Sequence, residues 1–259
     1  MLPRRKYVLN FVFLILYNII LIKLVNCVKV KLPDFVKQCS LSASPEDQQK
    51  CIDENVEIFK PRFASGIPEM RIPALDPLFL ETIIMSAENF NAKFTNATVV
   101  GASNFEMINS TFDIANYSLI MNVRFPYVHL DSNYRIDGKL LVLQLKSNGK
   151  CWLNASNVDG YIEINGKLRK ENDKTYLDFN DRSKNKIKLN IKDKPAVYFA
   201  DLFKGSEELT KTTNAVINDN IVQIMEDFMP IVNEIIGSFV FTSIQTIFNT
   251  FSMEELFLP

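Results

Sequence analysis

Histidine is nearly absent from this chain: His129 is the single one in 259 residues. That scarcity excludes H-E-x-x-H zinc sites and every metal site that needs a pair of histidines. The sequence also lacks a G-x-S-x-G elbow, a Walker A loop, a G-x-G-x-x-G turn and an EF-hand ligand series. A histidine with no accompanying nucleophile motif reads as a strand or turn residue bonded to backbone or solvent. Cys151 would need a nearby base and an electropositive setting to act as a nucleophile, yet it stands in a strand pattern between Lys150 and Trp152. The expectation is a protein without catalytic residues, metal or cofactor.

Charge of one sign is missing too. Lys and Arg total 29 and Asp and Glu total 30, which removes the basic footprint of a nucleic-acid binder. An uninterrupted membrane-length run is also lacking at the N-terminus. Tyr7 to Ile22 is apolar, but Asn18 and Lys23 hold it below the roughly 20 residues that span a bilayer. With Arg4, Arg5 and Lys6 before it and Val25-Asn26-Cys27 after it, residues 1–27 read as a secretory signal peptide, and residues 28–259 as the mature domain. Removing them takes four basic and no acidic residues, so the formal charge moves from −1 to −5. A secreted, extracellular protein without stable membrane insertion is expected. Four N-x-S/T sequons, at Asn96, Asn109, Asn116 and Asn154, agree with that compartment as glycosylation sites.

Cysteines are few. Of the four, Cys27 leaves with the signal, and Cys39 and Cys51 stand close enough to close a small loop in an oxidising compartment. Such a loop stabilises a fold by roughly 2–3 kcal/mol. Cys151 is left over, either as a buried thiol, in an intermolecular bond, or bonded to a retained Cys27.

What is present is apolar patterning. Ser44-Pro45-Glu46-Asp47 caps a helix of about 18 residues that ends near Gly66, and the prolines 68, 73 and 77 then force an extended connection. From there to about residue 203 the period is two: Leu119, Met121, Val123 and Phe125 alternate with polar neighbours, as do Ile187, Leu189 and Ile191. Turn signals at Asn104, Asp131-Ser132-Asn133, Asp137-Gly138, Asn148-Gly149, Asn157–Gly160, Asn165-Gly166, Asn172-Asp173 and Asp181–Ser183 predict closely spaced hairpins. So long an antiparallel meander with one dry face must curl around something.

That something is a helix predicted from Val216 to Phe251, with an apolar stripe that includes Phe228, Ile231, Val232, Ile235 and Phe239. Asn220, Gln223, Glu226, Asp227, Asn233, Glu234, Gln245 and Asn249 fall largely off the stripe. At 1.5 Å per residue such a helix is about 54 Å long, more than the roughly 45 Å diameter of a compact sphere of this size. The domain is therefore elongated or the helix breaks, and Pro230 predicts a bend there. The fold class is α+β: a long C-terminal helix wrapped by a strongly curved antiparallel β-sheet in an elongated single domain. With 20 Phe and 8 Tyr divided between sheet and helix, the arrangement favours an apolar cavity that binds an apolar ligand. Phe228, Ile231, Val232, Ile235 and Phe239 are the expected ligand-facing residues.

The order and spacing of several motifs carry a resemblance. Leu32-Pro33-x-Phe35, Cys39, Cys51, Gly66-Ile67-Pro68-Glu69 and Leu75-Asp76-Pro77-Leu78 resemble the opening of the insect takeout and juvenile-hormone-binding protein family. Ser103-Asn104-Phe105, Tyr134-x-Ile136-Asp137-Gly138-Lys139, Asp201-Leu202-Phe203-x-Gly205, Ile217-Asn218-x-Asn220 and Glu254-Glu255-Leu256-Phe257 keep step with it. The resemblance implies the tubular lipid-binding fold, the Cys39–Cys51 disulfide, and a carrier of a terpenoid hormone or fatty-acid-like molecule. Cys151 stands where hormone-binding members place one end of a second disulfide, and no cysteine follows it. That departure points to the takeout branch, with its circadian, feeding or sensory associations. The competing expectation is an extracellular interaction protein that uses the outer face of the fold, its tunnel filled by side chains.

Overall fold

The computed structural model describes residues 30–87, 89–113, 116–181 and 185–259. The expected signal peptide 1–27 lies outside the described residues, as does most of the expected turn at Asp181–Ser183.

An N-terminal arm leads through β1 (Cys39–Ser40) into helix α1 (Pro45–Phe63). The Ser44 hydroxyl accepts a bond from the Asp47 N–H, and Glu46 and Asp47 offset the positive end of the helix, so α1 starts where the sequence predicts. Buried Asn55 holds the arm on both sides. Its amide donates to the Lys37 carbonyl at 2.8 Å and accepts from the Lys37 N–H at 3.0 Å. One helical turn earlier, Cys51 is bonded to Cys39 with a Cα–Cα distance of 5.8 Å. β1 in turn pairs in parallel with β11 (Phe257–Leu258), so the last residues of the chain dock on this arm.

The sheet contains β2 (Leu78–Ala87), β3 (Phe90–Val100), β4 (Glu106–Asp113), β5 (Ser118–Leu140), β6 (Leu143–Asn165), β9 (Lys186–Ile191) and β10 (Ala196–Phe199). Its spatial order is β10-β6-β5-β3-β2, with β4 added to β5 and β9 to β6, all antiparallel. A separate hairpin joins β7 (Lys167–Glu171) and β8 (Lys174–Asp178).

β5 and β6 are each 23 residues long and pair from Ser118↔Asn165 to Leu140↔Leu143. This corrects the expected hairpins: Asp131-Ser132-Asn133, Asp137-Gly138, Asn148-Gly149 and Asn157–Gly160 all lie inside these two strands. Their glycines answer to close packing instead. A Cβ at Gly138 would stand 2.3 Å from the Asn89 carbonyl oxygen, and one at Gly149 would stand 2.5 Å from that of Ala200. The actual β5–β6 turn uses Leu141 at φ 54 and exposed Val142, neither of which reads as a turn residue. The Asn172-Asp173 turn does form, both residues being left-handed.

Irregularities interrupt three strands, opposite Ser132 on β3 and in one band across β5 and β6. β3 shifts register against β5 between Thr95 and Thr98 around left-handed Asn96, while Pro126 and left-handed Asn157 interrupt β5 and β6 opposite each other. Below this band the buried positions are Tyr134, Ile136, Leu145 and Cys151; above it they are Val123, Val158 and Ile164, with the parity of the strand exchanged. The interruptions bend the strands while one face of the sheet stays dry along its length.

The C-terminal part contains α2 (Glu207–Asp219), α3 (Ile221–Thr250) and the short α4 (Met253–Leu256). The single helix expected from Val216 is thus two, which meet at Asn220 (φ −106, ψ 14), and Pro230 lies within the second. Pro230 sits on the exposed side of a continuous α3, where the donor it lacks leaves no buried acceptor unmet.

Two buried clusters hold the molecule. The first joins Phe90, Tyr134, Ile136, Leu145, Ile217, Ile221 and Ile224. The second joins Cys39, Cys51, Ile164, Leu177, Phe179 and Phe257, with Phe241, Ile244 and Phe248 of α3 packed against it.

Candidate functional site

α3 runs from one cluster to the other, about 45 Å at 1.5 Å per residue. By length and composition alone it is apolar enough to cross a membrane. Yet only Ile221, Ile224 and Gly237 along it are buried. Its middle belongs to neither cluster.

The expected ligand-facing residues divide accordingly. Phe228 lies at the edge of the first cluster, its ring centroid 5.1 Å from that of Phe90. Ile231, Val232, Ile235 and Phe239 lie between the clusters and are half-buried. Inward-facing positions of the sheet share this intermediate state: Val128 and Leu130 on β5, Leu153 on β6, and Ile187, Leu189 and Ile191 on β9. Gln223, Glu226, Asp227 and Glu234 mark the wet face of the first half of α3, and Thr242 and Asn249 that of the second, displaced by roughly a quarter turn. The dry face therefore swings along the helix, which a straight stripe read from the sequence does not capture.

Polar side chains of the helices complete the sheet edges. On α2, Asn214 accepts from Phe199 N–H at 2.8 Å and donates to Phe199 C=O at 2.9 Å; Asn218 does the same for Val197 at 2.9 and 2.7 Å. On α3, Asn233 accepts from Leu189 N–H at 2.9 Å, and Gln245 accepts from Phe179 N–H at 2.6 Å. A carboxamide supplies both donor and acceptor, so it can stand in for an absent neighbouring strand. Asn233 and Gln245 were expected simply to lie off the apolar stripe; their role as edge caps carries no sequence signal separable from ordinary wet-face polarity.

At the α3–β9 seam Gly237 faces Ile187: a Cβ placed on it would lie in ordinary contact, 3.9 Å from the Ile187 Cβ. A cleft of about 470 Å³ opens here, with Ile187, Gly237 and Phe241 on its apolar side and Lys186, Lys188, Asn233, Glu234 and Ser238 among its polar lining. A larger depression of about 930 Å³ is lined, among the described residues, by α1 alone, from Pro45 to Ile58.

The other singled-out residues separate cleanly. Cys151 is a free, buried thiol on the inner face, and burial, with the Asp131 carboxylate nearby, pushes its pKa up to about 12. His129 is on the outer face, where Asn154 and Asp131 take its two ring nitrogens and, led by the Asn154 bond, raise its pKa. Thiol and imidazole thus occupy opposite faces of the sheet and form no dyad. Asn96, Asn109 and Asn116 are exposed, and Asn154 lies half-buried on the outer face, bonded to the Tyr127 hydroxyl.

The family described as Haemolymph juvenile hormone binding protein (JHBP) matches residues 16–258. The chain is 26% identical over 238 residues to the circadian clock-controlled protein daywake of Drosophila melanogaster, covering 87% of this chain and 88% of that protein. The Drosophila yakuba daywake is 24% identical over the same coverage. Among solved structures, Takeout 1 of Epiphyas postvittana superposes with a TM-score of 0.72 at 19% identity, covering 86% of this chain and all of that one. That likeness shows the expected fold, a curved antiparallel sheet with a long C-terminal helix.

Proposed function

The chain belongs to the haemolymph juvenile hormone binding protein family, and from that premise we propose that it carries a small lipophilic molecule in the apolar interior between its two packed ends. The observation that carries this reading is the middle of α3. Ile231, Val232, Ile235 and Phe239 are apolar and lie on the dry side of the helix, yet none is buried as a filled core would bury it. Val128 and Leu130 of β5, Leu153 of β6 and Ile187, Leu189 and Ile191 of β9 are half-covered as well, although Val123, Ala155 and Val158 on the same inner face are buried. Apolar walls with few polar groups suit a terpenoid or fatty-acid-like ligand.

The carrier is secreted and begins near Val28, with N-linked glycan on at least one of Asn96, Asn109, Asn116 and Asn154. N-terminal sequencing of secreted material that finds Met1 or Leu2 contradicts this. Clock control, named for daywake, extends to this chain as a rhythm in its abundance, testable by sampling transcript through a light–dark cycle. Native mass spectrometry of protein secreted by insect cells, before and after denaturation, tests the carrier reading. A released small molecule at one per chain supports it. Recovery of no stoichiometric lipid favours instead an outer-face interaction protein, for which exposed Phe79 and Ile84 on edge strand β2 provide contact surface.

A further inference from the structure

Resting on the carrier reading, the geometry points to a lateral portal: the ligand passes through the α3–β9 seam at the cleft between Ile187 and Gly237, with Asn233 as its latch. Three observations converge. β9 pairs with β6 on one side only, so its other edge faces α3 without a strand partner among the described residues. Across this edge the Leu189 N–H donates to the Asn233 side chain. Gln245 accepts from Phe179 N–H twelve residues, about 18 Å, farther along the helix. The cleft lies within that interval, its apolar side formed by Ile187, Gly237 and Phe241.

The lining sorts by polarity along the path. Ile187 belongs to the same inward-facing row as Leu189 and Ile191, and Phe241 packs against the second core cluster, so the apolar side of the cleft is continuous with the interior. Lys186, Lys188 and Glu234 are exposed at its rim. A single-chain amphiphile fits this division: its tail passes the apolar side, while its polar end stays at the charged rim. Opening requires α3 to part from β9, breaking the Asn233–Leu189 bond and no strand pairing.

The distance from Ile187 Cβ to a Cβ at position 237 falls within the range of a disulfide, so the seam can be locked covalently. The test uses the full secreted protein carrying Ile187→Cys and Gly237→Cys, with the cross-link verified by peptide mass, and cis-parinaric acid as the probe. Stopped-flow uptake and release should both slow by about tenfold or more when the cross-link is formed and recover on mild reduction, whereas wild type is indifferent to the same treatment. Asn233→Ala, a second variant that needs no cross-link, should exchange the probe several-fold faster. Equal exchange in locked and reduced protein, or unchanged exchange in Asn233→Ala, overturns the portal. Failure of the wild type to bind the probe at equilibrium sinks the carrier reading itself, so the two failures are distinguishable.

Discussion

Two of the seams where the curved sheet meets the helices, α2 with β10 and α3 with β9, are fastened very differently. Between α2 and β10, Asn214 and Asn218 make four hydrogen bonds to the backbone of Phe199 and Val197, and Asn214, Ile217 and Val197 are buried there. Between α3 and β9 the Asn233 carboxamide accepts one bond, from the Leu189 N–H, and is not seen to donate back to that residue. Both seams solve the same problem, a strand edge with unmet backbone groups. The comparison teaches that one edge is closed as part of the core by carboxamides that both donate and accept, while at the other a carboxamide meets a donor among half-buried side chains.

The largest expected effect lies at the tight seam. Asn214→Ala leaves the N–H and C=O of Phe199 without these partners beside a buried cluster, which should cost about 2–4 kcal/mol and lower Tm by roughly 5–12 °C. A change of only a degree or two would remove the contrast between the seams. Next comes the Cys39–Cys51 bond: replacing both cysteines by Ser should cost roughly 2–3 kcal/mol in chemical denaturation while leaving probe exchange at the α3–β9 seam unaltered. Thiol counting on the native wild-type protein should find Cys151 unreactive until denaturant is added. Two reactive thiols in native protein would contradict the bond.

A smaller effect is expected at the C-terminal end of the fold. Burial opposes ionisation of Glu255, but bonds from the Ser252 N–H and hydroxyl and the Lys174 ammonium outweigh it and hold its pKa at about 2. A lowered folded-state pKa contributes stability that is complete above the ordinary carboxylate value and lost as pH falls through about 2. Discounted for partial exposure, the contribution at neutral pH is on the order of 1–2 kcal/mol. Acid titration of Glu255→Gln should show the corresponding loss of stability at neutral pH and a flatter decline below pH 4 or so. The smallest stability effect belongs to the loose seam: Asn233→Ala should cost about 1 kcal/mol or less. A cost equal to that of Asn214→Ala would mean the two seams are equally fastened.

Much of this architecture was legible in the sequence because it rests on periodicity. The α1 cap at Ser44, the change to period two, and the apolar run of α3 are all local patterns, and the family motifs ordered them. The hairpins were misjudged because Gly138, Gly149 and Gly160 mark places where another chain segment approaches the strand, not turns, and composition alone does not separate the two. The break at Asn220 escaped notice because Pro230 is a stronger local signal, although an exposed proline on the outer side of a helix is readily accommodated. At the candidate site the stripe was legible, but its swing along α3 and the division of Phe228 from Ile231, Val232, Ile235 and Phe239 depend on where two distant core clusters end. The amide caps were invisible for a related reason: Asn214, Asn218, Asn233 and Gln245 acquire their meaning from strand edges far away in the sequence.

The central claim is that the middle of α3 borders space for a ligand, and Val232→Trp tests it most directly. Thermal unfolding and equilibrium binding of cis-parinaric acid are measured on the same preparation. The account predicts a Tm close to wild type with binding abolished, because the added ring occupies the space meant for the ligand. In a filled core the substitution should instead cost about 1–3 kcal/mol through overpacking. A large loss of stability with unchanged binding in the protein that remains folded would contradict the account.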